Sequence, residues 1–256
     1  MRVIAIVNQK GGVGKTTTAI NLAAALTEHG KSVLLVDMDP QGNASTGLGV
    51  MRADRNLTSY DVIVDGADIN DALYDTAVSG LSLVPSDMDL SGAELELGAQ
   101  QGRTTLLTDA LKRLKNKPDY ALLDCPPSLS LLTVNALSAA DSVIVPLQCE
   151  FYALEGLSQL LKTVEMAKAN INPDLKIEGV MLTMYDPRNR LSGQVVADVR
   201  KHLGRAVFKT VIPRNVRIAE APSFGLPVTH YDRRSAGAKA YMELAAEILN
   251  KRSRAK

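Results

Sequence analysis

The stretch from Val7 to Leu26, VNQKGGVGKTTTAINLAAAL, restricts the fold of this chain more than any other part of it. The apolar run Val3–Val7 feeds into a glycine-rich turn, and the turn feeds into an alanine- and leucine-rich segment with helical spacing. Gly11, Gly12 and Gly14 let the backbone curl so that successive N–H groups point inward around an anion. The helix that follows adds the positive end of its dipole. A strand–loop–helix unit of this kind belongs to a parallel sheet whose strands are joined by helices.

The rest of the chain repeats that alternation. Val33–Val36, Leu81–Val84, Tyr120–Leu123, Val143–Leu147 and Ile177–Thr183 are short, apolar and non-alternating, as strands covered on both faces should be. Between them, 16–29, 104–115, 129–140, 154–170, 193–203 and 235–250 carry apolar residues at three- and four-residue spacing, and Gly30 is a natural stop for the first of these helices. The expected class is α/β: a doubly wound, mostly parallel sheet with helices on both faces, in one domain over 1–256. The span 49–80 has the weakest pattern and reads as a surface excursion.

No apolar run approaches the ~18 residues that span a bilayer, so the chain reads as soluble, and MRVIAIVNQ turns polar too early for a signal peptide. Cys125 and Cys149 lie outside any CxxC pair and read as core thiols of a reducing compartment. The net charge of +1 conceals an asymmetry. From Asp186 onward there are 15 Lys and Arg against 6 Asp and Glu, and before it 14 against 22. A basic C-terminal third is equally consistent with a polyanion-binding face and with a solvated surface balanced by acidic neighbours.

Lys15 is placed to reach the β- and γ-phosphates of a nucleotide, and the Thr16 hydroxyl to ligate Mg²⁺. The common phosphate-loop pattern has a glycine where this chain has Gln9. A bound Mg²⁺ needs further oxygen neighbours, and acidic residues at the ends of buried strands supply them. Asp124 closes YALLD, and Asp37 and Asp39 follow VLLV. Asp141 reads as a helix cap.

With KGGVGKTT, DMDPQGNAS, LLDCPPSLS, VPLQCEFYALEG and VIPRNVRIAEAPSFGLPV in this order, the chain resembles the ParA/Soj partitioning ATPases, of the deviant-Walker-A group that includes MinD. The resemblance covers nearly the whole chain. It implies an ATPase with ATP and Mg²⁺ as ligands, and an ATP-dependent homodimer in which Lys10 contacts the phosphates held by the other subunit. The nucleotide-contacting run would be Lys10, Gly11, Gly12, Val13, Gly14, Lys15, Thr16 and Thr17. Glu150 would reach toward the partner's nucleotide, and Met184, Pro213 and Asn215 would form the adenine pocket, although Pro213–Asn215 is also a good strand-to-helix turn. Catalysis would fall to Lys10, Lys15 and Asp39, and the metal to Thr16, Asp39 and Asp124. Gly11 would lie at the close dimer contact.

Arg188 and Arg217 match the family's DNA-contacting arginines, which implies binding to double-stranded DNA without sequence preference. A ParB-like centromere-binding protein would stimulate hydrolysis, and the protein would be cytoplasmic and nucleoid-associated. The short N-terminus fits the chromosomal type, without a helix-turn-helix extension. The main rival is a MinD-like membrane ATPase, which needs a free apolar face on the last helix. Tyr241, Leu244, Ala245, Ile248 and Leu249 are expected to pack on the sheet instead, so no membrane partner is expected. A dethiobiotin-synthetase-like ligase or an iron-sulfur ATPase of the same fold is a more distant alternative.

Overall fold

The computed structural model describes residues 1–98, 100–151 and 153–253. Its strands are β1 (Arg2–Ile6), β2 (Val33–Asp37), β3 (Tyr74–Asp75), β4 (Leu81–Val84), β5 (Tyr120–Asp124), β6 (Ser142–Gln148), β7 (Lys176–Tyr185) and β8 (Val207–Pro213). They form one sheet in the order β3-β4-β2-β5-β1-β6-β7-β8. Every pairing is parallel except that of β3 with β4. The helices are α1 (Lys15–Glu28), α2 (Asn43–Gly47), α3 (Ser59–Ile63), α4 (Ala93–Leu97), α5 (Leu106–Lys112), α6 (Leu131–Ala139), α7 (Ala153–Asn170), α8 (Arg190–Leu203), α9 (Val216–Glu220), α10 (Val228–Tyr231) and α11 (Ala236–Ser253).

The non-alternating strand sequences follow from burial on both faces. Val3, Ala5 and Val7 pack on one side with Leu107 and Leu111 of α5 and Leu132 and Leu137 of α6. Ile4 and Ile6 face the other side, against Leu22 and Leu26 of α1 and Tyr241, Leu244 and Ile248 of α11. Each large side chain so buried contributes roughly 1.5–3 kcal/mol. The first helix ends as expected: Gly30 adopts φ 73°, and the Lys31 amide donates to the Leu26 carbonyl at 3.2 Å.

Three features differ from the sequence reading. The span 49–80 is no mere surface excursion, because Val62, Ile63, Ile69, Ala72 and Val78 are all buried in the core. Its elements are a single turn or two residues long, too short to display a period. Asp141 caps no helix. It accepts from the Val3 amide at 2.7 Å, tying the start of β1 to the segment that enters β6. Strand β8 gave no clear signal because it is an edge, and Lys209 and Thr210 interrupt its apolar run. The backbone groups of Lys209 are closed by side chains. Its amide and that of Thr210 donate to the Glu247 carboxylate at 2.9 and 3.0 Å, and Arg200 donates to its carbonyl at 2.9 Å.

Candidate functional site

Strand register brings the site together. Ile6 of β1 lies opposite Asp124 of β5, and Asp124 lies opposite Asp37 of β2, so three adjacent strands end at one level. The glycine loop leaves β1 at that level and returns into α1. Its shape is fixed by left-handed glycines, Gly12 at φ 76° and Gly14 at φ 89°. The Thr183 hydroxyl at the end of β7 donates to the Val13 carbonyl at 2.9 Å, and Asn8 donates to the Pro146 carbonyl at 2.7 Å while accepting from the Lys10 amide at 3.0 Å.

The N-terminus of α1 is open. The first bond from its entrance is Thr18 N–H to the Gly14 carbonyl at 2.9 Å, and Gly14 offers no side chain to cap the preceding amides. Beside Gly11 and Gly12 an added Cβ would meet nothing within 4 Å among the described residues. The loop is therefore a cradle of donors in which an anion fits.

Below it sits an imbalance of buried charge. Lys15 is 7% exposed, its ammonium donates to the Lys10 carbonyl at 3.0 Å, and burial pulls its pKa down against the opposing pull of Asp124 and Asp39. Asp124 is fully buried, and burial followed by the charge of Asp37 pushes its pKa well up. The Thr16 hydroxyl favours its charged form, yet neither Asp124 oxygen makes a regular hydrogen bond among the described residues. Asp37 is raised by burial to about 6, although it accepts from the Ser45 amide at 2.9 Å and the Ser45 hydroxyl at 2.7 Å. Asp39 accepts from the Gln41 amide at 3.0 Å.

An orphaned buried carboxylate beside a hydroxyl is what a hard divalent cation requires. No group of three or more His, Cys, Asp or Glu among the described residues forms a complete cage. This donor set suits Mg²⁺, which takes few protein ligands and completes its shell with water and phosphate oxygens.

The AAA domain family matches residues 1–177. The chromosome partitioning protein ParA of Caulobacter vibrioides is 57% identical over 98% of this chain and 95% of its own length. The chain belongs to the ParA/Soj family of chromosome-partitioning ATPases. The sporulation initiation inhibitor Soj of Bacillus subtilis is 55% identical over 96% of this chain and 98% of its own. Among solved structures, a cobyrinic acid a,c-diamide synthase from Mycobacterium smegmatis with bound ADP and magnesium superimposes with a TM-score of 0.88. It is 39% identical and covers 100% of this chain and 97% of its own. Identity with the partitioning proteins is thus well above identity with that synthase.

The remaining predicted residues of this ParA/Soj chain fall into separate places. Met184 and Pro213 lie at the ends of the neighbouring parallel strands β7 and β8, at the same edge of the sheet as the glycine loop. Met184 has φ 52°, an uncommon conformation for a residue with a side chain. Asn215 caps α9, accepting from the Arg217 amide at 3.0 Å, so the strand-to-helix turn is real. Lys10 is half-exposed and forms an ion pair with Glu150 of its own chain. Arg188 is paired with Asp186 at 2.8 Å, and Arg217 with Glu220 at 2.8 Å and Asp232 at 3.5 Å. Cys125 and Cys149 are buried free thiols whose pKa burial raises, Cys149 to about 11. Sequence reasoning gave no role to Thr183, whose acceptor Val13 lies far away in the chain, or to Ser45, which links nearby Asp37 to distant Ser86.

Proposed function

We propose that this chain is an ATP-driven DNA-segregation ATPase that binds ATP with Mg²⁺, dimerises on it, engages double-stranded DNA without reading bases, and lets go on hydrolysis. The observation that carries the reading is the open glycine cradle standing over the orphaned Asp124 carboxylate. Loop amides and Lys15 hold the phosphates, and Thr16, Asp39 and Asp124 hold the metal directly or through water. When bound, Mg²⁺ neutralises charge that develops on the phosphates. Asp39 orients the attacking water, and Met184, Pro213 and Asn215 border the adenine. The whole chain, 1–256, acts as one unit around the continuous sheet.

Gly11 supports the dimer. Its φ is not left-handed and nothing within its own subunit crowds it, so no contact inside the described residues demands glycine there. A partner approaching that surface would. Lys10, half-exposed beside it, reaches the partner's phosphates once it leaves Glu150, and Glu150 then lies beside the partner's nucleotide. Because that cation completes the site only in the dimer, ATP occupancy and dimerisation are linked.

Arg188 and Arg217 supply phosphate contacts from the basic third, and pairing two subunits doubles them on one duplex. A ParB-like centromere-binding protein triggers hydrolysis locally, and the protein works in the cytoplasm, on the nucleoid. The membrane-bound alternative is disfavoured by the last helix: Tyr241, Leu244, Ala245 and Ile248 are all buried in the core. No helix among the described residues is long and apolar enough to cross a membrane.

The test is duplex binding by fluorescence anisotropy with two unrelated sequences, with and without ATP and Mg²⁺. Equal, ATP-dependent and salt-sensitive binding of both is expected. Binding that ignores ATP, or prefers one duplex strongly, overturns the reading.

A further inference from the structure

We propose that Arg55 is a positioning residue for ATP hydrolysis, acting through the segment that follows Asp39. The inference rests on the ATPase reading and on the role given there to Asp39.

Arg55 is remote from the glycine loop in sequence, yet its guanidinium makes five hydrogen bonds around that segment. It donates to the Ser86 carbonyl at 2.5 Å, the Thr46 hydroxyl at 2.8 Å, the Val50 carbonyl at 2.9 and 3.2 Å, and the Gly42 carbonyl at 3.3 Å. One planar fork thus holds the start, middle and end of 42–50 and binds all three to the turn after β4. Lysine carries three donors on a single nitrogen and cannot span these acceptors at once.

The other side of the segment is fixed independently. Ser45 is fully buried; its amide and hydroxyl donate to Asp37, and its hydroxyl accepts from the Ser86 amide at 3.0 Å. Between the two attachments runs a short turn in which the Gly42 amide donates to the Asp39 carbonyl at 2.9 Å. Asp39 is therefore one turn away from a backbone carbonyl that Arg55 grips. Gly42 fits because it lacks a side chain: at φ 61°, an added Cβ would collide with the Arg55 guanidinium and the Ser86 carbonyl.

A group acting this way should govern the chemical step more than the binding of nucleotide, since the glycine loop and Lys15 are held by other contacts. The experiment compares wild type with Arg55→Met, which keeps the aliphatic stem, Arg55→Lys, and Thr46→Val, which removes one contact with little change of volume. Steady-state turnover of Mg-ATP and equilibrium binding of a fluorescent ATP analogue are measured on each. Arg55→Met is expected to lower kcat about 10-fold or more while the nucleotide Kd stays within about threefold, the pattern of misplaced catalytic geometry. Arg55→Lys and Thr46→Val are expected to fall between it and wild type. Amide exchange at Ser45 and Thr46 should quicken in the same order.

A kcat within twofold of wild type in Arg55→Met overturns the proposal. So does a Kd that weakens in step with kcat, which marks a merely structural role. If Arg55→Met does not fold, the two milder variants decide on the same criterion. Wild-type protein without ATP turnover overturns the ATPase reading itself, and this proposal with it.

Discussion

Two groups of charged side chains carry the proposed function, and their surroundings are opposite. Under the glycine loop, Lys15, Asp37, Asp39 and Asp124 are all buried. In the basic third, Arg188 and Arg217 are exposed and already paired. Two aspartates measure the contrast. Asp37 is pushed up to about 6 by burial, whereas Asp186 is pulled down to about 2 by its hydrogen bonds from Arg188. The floor of the loop is short of counter-charge and is completed by a ligand. The surface pairs are complete but weakly held, since exposed ion pairs contribute only ~0–1 kcal/mol and exchange partners readily.

The largest effect should come from the buried side. Lys15→Ala is expected to weaken ATP binding by about 100-fold or more, because it strips a desolvated cation from the phosphates. Lys10→Ala, on the exposed rim, should leave binding by the monomer measurable and abolish the ATP-dependent dimer. Calorimetry for binding and light scattering for mass separate the two. A Lys10→Ala protein that dimerises and turns over normally would break the contrast.

Next in size is Asp39→Ala. Nucleotide binding should persist through Lys15, Thr16 and Asp124, while hydrolysis falls by a factor on the order of 100. The variant should then accumulate on DNA with ATP. Gly11→Val should bind ATP and fail to dimerise, and so be lost from DNA. Identical DNA retention of the two variants would contradict the order of steps.

A smaller change tests the exposed side. If Arg217 contacts one phosphate, Arg217→Glu removes it twice per dimer and should make the slope of log affinity against log salt shallower by roughly 2. The ATP-driven dimer should survive. Anisotropy titrations across a salt series give the slope, and an unchanged slope removes Arg217 from the interface.

The smallest effect concerns pH. Without nucleotide, the folded chain holds a proton on Asp37 up to about pH 6 that the unfolded chain releases near 4. The folded state binds more protons in that window, so stability falls as pH rises through it. Asp124 has the same sign, its pKa being raised too. For Asp37 alone the change from pH 5 to 7.5 is about 1 kcal/mol, a loss of roughly 4 °C in Tm. Asp186 has the opposite sign, and its stabilisation is lost only as pH falls toward 2. Mg-ADP should flatten the dependence by stabilising the ionised carboxylates. Scanning calorimetry at the two pH values checks this, and a higher Tm at pH 7.5 in nucleotide-free protein would refute it.

The same division governs what could be read from the residues. The six inner strands announce themselves because each is apolar on both faces, and the glycine loop because its spacing is local. Asp124 and Asp39 are legible once the loop is known, since strand ends in a parallel sheet share one edge. Strand β8 was hidden by Lys209 and Thr210, whose polarity suits an edge. Arg55 was hidden more deeply, because its acceptors on Gly42, Thr46, Val50 and Ser86 become neighbours only after folding. The partners of Arg188 and Arg217 are mostly local, Asp186 two residues away and Glu220 three, and they show that a surplus of cations is not a surplus of free ones.

The closed border of the sheet has a consequence for crowding. If copies gather along one duplex as proposed, they meet flank to flank at high local density. On one flank, Glu247 and Arg200 occupy the backbone groups of Lys209 that another strand would use. On the other, β3 is two residues long. Neither border offers a template from which a stack of copies could grow, so on the proposed reading such encounters would stay reversible and the loop end would be left as the place where two copies join.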